Sequence, residues 1–253
     1  DVTDIAAVAE MAHRNHLPLI IDNTVATPYL VKPISLGADV VVNSSSKYMN
    51  GNSDAISGVL TWSGKFKWDG ERYPGMAPYK KFGPMAYIAK LRNGLFRNMG
   101  ACLSPQNAFL NNLGLETLGL RMERQCANAL ELAKYLDMLE GITVNYPGLP
   151  DSPYHELAKR QLHGGFGAIV TMRTGSKERA FEIINALQLP FILSNIGDTK
   201  TLVIHPASTI AVHLSKEDQI QSGVYDDLIR VSVGIEDVED LKKDFANAIG
   251  GTR

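Results

Sequence analysis

Leu17-Pro18-Leu19-Ile20-Ile21-Asp22-Asn23-Thr24 and, twenty residues on, Gly37-Ala38-Asp39-Val40-Val41-Val42-Asn43-Ser44-Ser45-Ser46-Lys47 decide how this chain is read. Each is a short apolar, β-branched run that stops abruptly in polar residues. That is the pattern of a buried parallel strand with functional groups at its carboxyl end. In open α/β sheets ligands gather outside those ends, so the two polar tips are expected to face one crevice. The first tip offers a carboxylate, Asp22, and the second an amine, Lys47, behind a run of hydroxyls. A lone Ser-Ser-Lys turn is in most chains a solvated loop, and Asp22 alone could cap a strand end. Two matched strands, one ending in an acid and the next in a hydroxyl-rich lysine turn, point further.

An acid and a lysine so placed can grip opposite poles of one flat, charged ring. Pyridoxal phosphate asks for that pair: a lysine to hold its aldehyde as a Schiff base, and an anion that keeps the ring nitrogen protonated so that the ring accepts electrons. Lys47 and Asp22 supply those roles. The hydroxyls of Ser44 and Ser46, with the N–H groups of their turn, would make a concave anion site for the phosphate. Desolvation and nearby positive charge would lower the pKa of Lys47, as a base working at neutral pH requires.

The same residues resemble a known family. Ile21-Asp22-Asn23-Thr24-Val25-Ala26-Thr27-Pro28-Tyr29, followed by the run from Gly37 to Lys47-Tyr48, is similar to the Cys/Met-metabolism family of pyridoxal-phosphate enzymes. That family includes cystathionine synthases and lyases, methionine γ-lyase and O-acetylhomoserine sulfhydrylase, and the resemblance runs through nearly the whole chain. Three stretches look most like the O-acetylhomoserine sulfhydrylase branch: Ser63-Gly64-Lys65-Phe66-Lys67-Trp68, the run from Leu115 to Arg124, and the run from Asn195 to Thr209. In the lyases and synthases the third stretch usually begins with serine.

The resemblance implies an α/β fold. Residues 1–110 would be the C-terminal part of the large, mostly parallel-sheet pyridoxal-phosphate domain of the fold type I aminotransferase-like class. Residues 111–253 would be a smaller α+β C-terminal domain with a long linking helix. It implies Lys47 as the Schiff-base lysine, Asp22 on the pyridine nitrogen, Thr24 beside the ring face, and Ser44 with Ser46 on the phosphate. The substrate carboxylate would fall to Arg230, in Leu228-Ile229-Arg230-Val231-Ser232-Val233-Gly234, helped by Asn195. A planar guanidinium grips a carboxylate in two places, and a charge in an apolar run must be paired. The other reading of Arg230 is an edge-strand arginine reaching solvent.

The implied reaction is γ-replacement, from O-acetyl-homoserine and sulfide to homocysteine and acetate in methionine biosynthesis. Its setting is a homotetramer of dimers with shared sites. Cystathionine γ-synthase or methionine γ-lyase chemistry would share every cofactor residue, and an inactive fragment with only an assembly role is the reading outside enzymes. Family members carry a long segment before the point matching Asp1. It supplies a glycine-rich phosphate turn, a ring-stacking aromatic, and a tyrosine and arginine for the neighbouring subunit, so this stretch alone is expected to form an incomplete site. The loop from Pro74 to Phe82 looks shorter than its sulfhydrylase counterpart, which bears on access to the site.

Composition agrees with a soluble, cytoplasmic enzyme. The chain has 253 residues, 45% hydrophobic and 21% charged, enough for a large core and two domains. A net charge of −2 suggests neither nucleic acid nor an anionic membrane as partner. No signal peptide or transmembrane run is expected from these residues. The two cysteines, Cys102 and Cys126, are too few for a disulfide framework and read as core thiols on helices. No metal is implied, since none of the six histidines has ligand spacing, and His205 reads as a hydrogen-bonded structural residue.

Periodicity places the remaining elements. A first helix, capped by Asp1 or Thr3, carries Ile5, Val8, Ala9 and Ala12 on one face. Gly83 to Met99 is expected to be a helix packed on the sheet through Ile88, Leu91, Leu95 and Met99. A long amphipathic helix is expected from Leu115 to Leu139, with the stripe Leu118, Met122, Leu130, Ala133, Leu136 and Leu139 linking two domains. On it Arg121, Glu123 and Arg124 read as a solvated or interface face. Strands at 142–146, 167–173, 201–205 and 228–233, with helices at 177–187 and 238–249, complete an α+β order.

Overall fold

The computed structural model describes residues 1–251. In chain order the elements are α1 (Ile5–Arg14), β1 (Ile20–Asp22), α2 (Thr27–Leu30), β2 (Val40–Asn43), β3 (Val59–Trp62), α3 (Ala86–Leu91), α4 (Arg97–Met99), α5 (Pro105–Glu116) and α6 (Leu118–Asp137). Then come β4 (Thr143–Asn145), α7 (His155–Gln161), β5 (Ile169–Arg173), α8 (Lys177–Ala186), β6 (Phe191–Ile192), β7 (Leu202–Ile204), α9 (Lys216–Gln221), β8 (Leu228–Ser232) and α10 (Val238–Gly250).

Two sheets organise the chain. The first runs β1-β2-β3, with β1 parallel to β2 in the register Ile20↔Val40, Ile21↔Val41, Asp22↔Val42, and β3 antiparallel. The second runs β4-β5-β8-β7-β6 and is antiparallel except for the β6–β7 pair. The α/β order followed by an α+β unit matches the sequence reading. One expectation about β1 fails: it is an edge strand among the described residues, and Ile20 is 55% exposed. Burial on both faces needs a packed layer over each face of the sheet, which an apolar run cannot reveal about itself.

Three clusters of buried side chains sit beneath these sheets. Ile5 and Ala9 of α1 pack on Leu19, Val31, Ala38 and Val41. The largest cluster joins the second half of α6 to β4, β5, α8, β8 and α10, through residues such as Leu132, Met172, Ile183, Ile229 and Phe245. Between them, Leu118, Met122 and Cys126 of α6 meet Leu30, Tyr48, Met49 and Ala168. One helix therefore feeds two cores, and the middle cluster pins the residues that follow Lys47.

The helix boundaries correct several expectations. Asp4, rather than Asp1 or Thr3, caps α1, its Oδ1 accepting from Ala7 N at 3.0 Å. The expected 115–139 helix is two helices that break at Thr117 (φ −108°, ψ 4°). Just before the break, Gly114 lies so close to the Met49–Asn50 backbone that an added Cβ would overlap the Asn50 carbonyl. The helix expected from Gly83 to Met99 begins only at Ala86, runs on to Met99 with a π turn in its middle, and does not pack on the sheet. Gly83 leaves helical space (φ 55°, ψ −128°), a π turn spans Arg92–Phe96, and Leu95 and Met99 are 65% and 77% exposed. The segment is anchored through its first two turns, by Trp68 stacked on Tyr87, by Trp62 Nε1 donating to Pro84 O at 3.2 Å and by Lys90 Nζ donating to Gly75 O at 2.8 Å. Cys126 is a buried helical thiol as expected, but Cys102 is exposed and outside any helix.

Candidate active site

The carboxyl ends of β1 and β2 are knitted together by short polar bonds. Asp22 Oδ1 accepts the Thr24 N–H at 2.9 Å, and Thr24 Oγ1 accepts the Ser44 N–H at 2.7 Å. Beneath them the buried Asn43 donates its Nδ2 to Asn23 O at 2.9 Å, and Asn23 N donates to Val42 O at 2.8 Å. The two polar tips thus form one ledge, as their matched lengths imply. Asp22 is exposed and lines a cleft of about 460 Å³ along the free side of β1.

Past Asn43 the chain winds through a tight turn that presents Lys47. Lys47 N donates to Ser44 O at 3.2 Å and Gly51 N to Lys47 O at 2.8 Å. Ser46 Oγ donates to Ser57 O at 3.1 Å and accepts from Ser57 N at 2.8 Å, so this hydroxyl is partly committed to closing the turn. Tyr48, fully buried, and Met49 hold the turn down on the middle core. Lys47 itself is half-buried, and its Nζ donates to Asn195 Oδ1.

Asn195 comes from the far side of the molecule, on the loop between β6 and β7. Gly197, at φ +77°, lets that loop lie on Tyr48, where a Cβ would stand 2.5 Å from the Tyr48 nitrogen. Arg230 lies on β8, third in a five-stranded sheet, which rules out the edge-strand reading. Its Nη2 donates to Ser194 O and Asn195 O, both at 3.0 Å, while its buried Nε has no partner among the described residues. Burial and, secondarily, the Arg230 charge hold the Lys47 amine below its ordinary pKa. Of the residues singled out in the sequence, Lys47, Asn195 and Arg230 meet directly. Asp22, Thr24 and Ser44 occupy the adjoining ledge.

Sequence reasoning missed the residues that fasten these loops. Arg121, Gln125 and Asn128 are 6%, 0% and 2% exposed, which corrects the reading of Arg121 as part of a solvated or interface face. Arg121 donates to Tyr48 O (2.6 Å), Met49 O (3.2 Å) and Gly114 O (2.6 Å); Gln125 donates to Asp198 O (2.7 Å) and Asn128 to Gly234 O (3.1 Å). The signal was available: all three fall on the helical stripe that carries Leu118, Met122, Ala129 and Leu132. His205 is structural as expected, bonded to Ser208 Oγ at 2.8 Å and Asp226 O at 2.7 Å.

These groups suit pyridoxal phosphate. An amine with a depressed pKa, a strand-end carboxylate, a hydroxyl turn and a buried guanidinium with an unpaired N–H are the donor set such a cofactor and an amino-acid carboxylate would use. The sequence model for Cys/Met metabolism PLP-dependent enzymes matches residues 1–250. The chain belongs to this family.

Similar members include the homocysteine synthase of Schizosaccharomyces pombe, 42% identical over 98% of this chain and 62% of that protein. The O-acetyl-L-homoserine sulfhydrylase of Corynebacterium glutamicum is 41% identical over 97% of this chain and 60% of its own length. The chain therefore spans about three-fifths of these relatives. Among solved structures, a Campylobacter jejuni protein assigned as an O-acetylhomoserine (thiol)-lyase, with N'-pyridoxyl-lysine-5'-monophosphate in its chain, superposes with a TM-score of 0.93. It is 34% identical, over 99% of this chain and 63% of that one. Cystathionine γ-lyase from Lactobacillus plantarum, complexed with L-serine, gives a TM-score of 0.83 at 32% identity, over 99% and 60%. The family is dependent on pyridoxal phosphate. Among the described residues no helix is long and apolar enough to cross a membrane.

Proposed function

We propose that this chain carries the lysine half of a pyridoxal-phosphate site that converts O-acetyl-homoserine and sulfide to homocysteine and acetate. The observation that carries the reading is the meeting of Lys47 with Asn195, backed by the buried, half-paired guanidinium of Arg230. The sulfhydrylase names among the relatives, and the higher TM-score to the (thiol)-lyase than to the γ-lyase, favour this branch.

In this proposal Lys47 Nζ holds the cofactor aldehyde, Asp22 keeps the pyridine nitrogen protonated, Thr24 lies by the ring, and Ser44 and Ser46 face the phosphate. When bound, pyridoxal phosphate supplies the electron sink for charge that develops on the substrate. Arg230, with Asn195, takes the substrate carboxylate and so fixes which Cα bonds face Lys47. The free Lys47 amine removes the Cα proton and then a Cβ proton, and returns protons after acetate has left Cγ and sulfide has entered. A depressed amine pKa places its neutral form nearer working pH, as this proton traffic needs. Residues 1–110 would form the cofactor side and 111–253 the smaller domain. Exposed Leu95, Phe96, Met99, Phe109 and Leu113 would be covered in paired dimers of a tetramer.

The reaction is tested by giving the protein, loaded with pyridoxal phosphate, O-acetyl-homoserine with sulfide, O-acetyl-homoserine with cysteine, or methionine alone. Homocysteine from the first mixture is expected to dominate. Cystathionine from the second or methanethiol from the third, without homocysteine from the first, would place the protein in another branch. A second prediction concerns Arg230→Met. With the carboxylate grip gone, KM for the amino-acid substrate is expected to rise about 100-fold, in the range of one lost charge-assisted pair. The same change removes a positive neighbour, so the Lys47 pKa moves upward. An unchanged KM would show that Arg230 does not hold the substrate.

A further inference from the structure

Behind Lys47 runs a chain of hydrogen bonds whose direction is fixed from its buried end. Asp198 is 4% exposed. Its Oδ1 accepts from Lys200 N at 2.9 Å, Lys200 Nζ at 3.2 Å and Thr199 Oγ1 at 3.2 Å, while its Oδ2 accepts from Ser53 Oγ at 2.5 Å. An ionised carboxylate only accepts, so the single hydroxyl proton of Ser53 is committed to it. Ser53 Oγ is then left as an acceptor, and it takes Asn195 Nδ2 at 2.7 Å. With its NH2 turned to Ser53, the Asn195 amide must point Oδ1 the other way, where it receives Lys47 Nζ.

Ser53 reaches this place through an unusual backbone. Its φ is +59°, a left-handed conformation that few non-glycine residues adopt. The turn is clamped by Thr199 N donating to Gly51 O at 2.8 Å and by Asn50 Nδ2 donating to Asp54 Oδ1 at 2.7 Å. The clamp puts the Ser53 hydroxyl between a carboxylate and an amide that lie 145 and 142 residues away in sequence.

We propose that Ser53, charged with direction by Asp198, is a positioning residue for Lys47. It holds the Asn195 carboxamide with its oxygen toward the amine, giving the free amine an oriented acceptor. The proposal rests on Lys47 being the cofactor lysine. Burial and Arg230, on β8, favour the neutral amine, whereas an oxygen that accepts from an amine favours its ammonium form. The other charges behind Lys47 are remote in effect: Asp198 is paired with Lys200 and acts through Ser53 and Asn195. Loss of the oriented oxygen therefore lowers the amine pKa further.

The test is the pH dependence of Lys47 acylation by acetic anhydride in cofactor-free protein, read by peptide mass spectrometry. In Ser53→Ala and Ser53→Gly the midpoint is expected to fall by about half a pH unit or more. Asn195→Ala should shift it similarly, and the Ser53→Gly/Asn195→Ala pair no further. Glycine relieves the left-handed backbone and so offsets part of the lost Asp198 bond; Ser53→Gly is expected to melt above Ser53→Ala and serves if the alanine variant folds poorly. In the loaded enzyme the limb of the kcat/KM profile set by the amine should move the same way. A midpoint that stays with the parent in Ser53→Gly while Asn195→Ala moves it would overturn the relay. Borohydride labelling of the loaded parent on a lysine other than Lys47 would instead overturn the functional reading, a result the acylation midpoint does not depend on.

Discussion

Lys47→Ala is expected to cut homocysteine formation by about 10³-fold or more, because the proposed reaction asks one amine both to hold the cofactor aldehyde and to move every substrate proton. The fold should survive. Lys47 is half-buried, its Nζ makes its bond to a single side-chain oxygen, and the turn is held by its backbone and by Tyr48 and Met49 instead. The measurement is homocysteine release beside a thermal melt, with borohydride reduction followed by peptide mapping. The parent should be labelled at Lys47 and the variant should lose that label. A variant that turns over at the parent rate, or keeps a label elsewhere, would remove Lys47 from the chemistry.

Arg121→Ala should be the most damaging change to stability outside the hydrophobic cores. The guanidinium is buried and spends its N–H groups on Tyr48 O, Met49 O, Gly114 O and, through Nε at 3.0 Å, Thr117 Oγ1. Burial lowers its pKa, and the Asp198 charge works against that, so the cation is kept in place by its carbonyl partners and a nearby anion. Deleting it strands the Tyr48 and Met49 carbonyls, while Gly114 O keeps Thr117 N and Oγ1 at 3.3 Å, in a space also pressed by Gly51, whose Cβ, if it had one, would overlap the guanidinium. The loss should be about 3–5 kcal/mol, since each stranded buried acceptor costs on the order of 1–3 kcal/mol and water re-entry recovers part of it. For a chain of this size that is a fall of about 10 °C in Tm. Arg121→Lys should recover only part of it, because an ammonium cannot reproduce the guanidinium fork. An unfolding free energy from urea titration within about 1 kcal/mol of the parent would show that the site turn is held without Arg121.

Arg121 also marks where sequence reading stops. On a helical projection it lies beside Leu118, Met122 and Gln125, so its burial was legible from spacing. Its partners were not, because they are backbone carbonyls 72 and 73 residues away that only folding brings near. The same holds for Ser53. Nothing local says that a serine two residues after Gly51 will adopt φ +59° and meet Asp198 and Asn195. The 83–99 segment failed for the opposite reason. Its apolar spacing is helical and the backbone does wind helically from Ala86 to Met99, through a π turn at 92–96, but Gly83 delays its start and no described sheet face covers Leu95 or Met99.

By itself the sequence determined the two strand ends, with Asp22 on one and the serine-lysine turn on the next, because strand length, β-branching and abrupt polarity are local properties. It determined the family as well, since those letters fall in one recognisable order. Tertiary structure alone decided that Asn195 and Arg230 arrive at Lys47 from a second sheet, that Arg230 sits on its central strand, and that a buried polar ladder on α6 ties the loops down. Such contacts join residues far apart in the chain, and their energies come from burial and hydrogen-bond direction, which exist only once the surrounding side chains have closed around them.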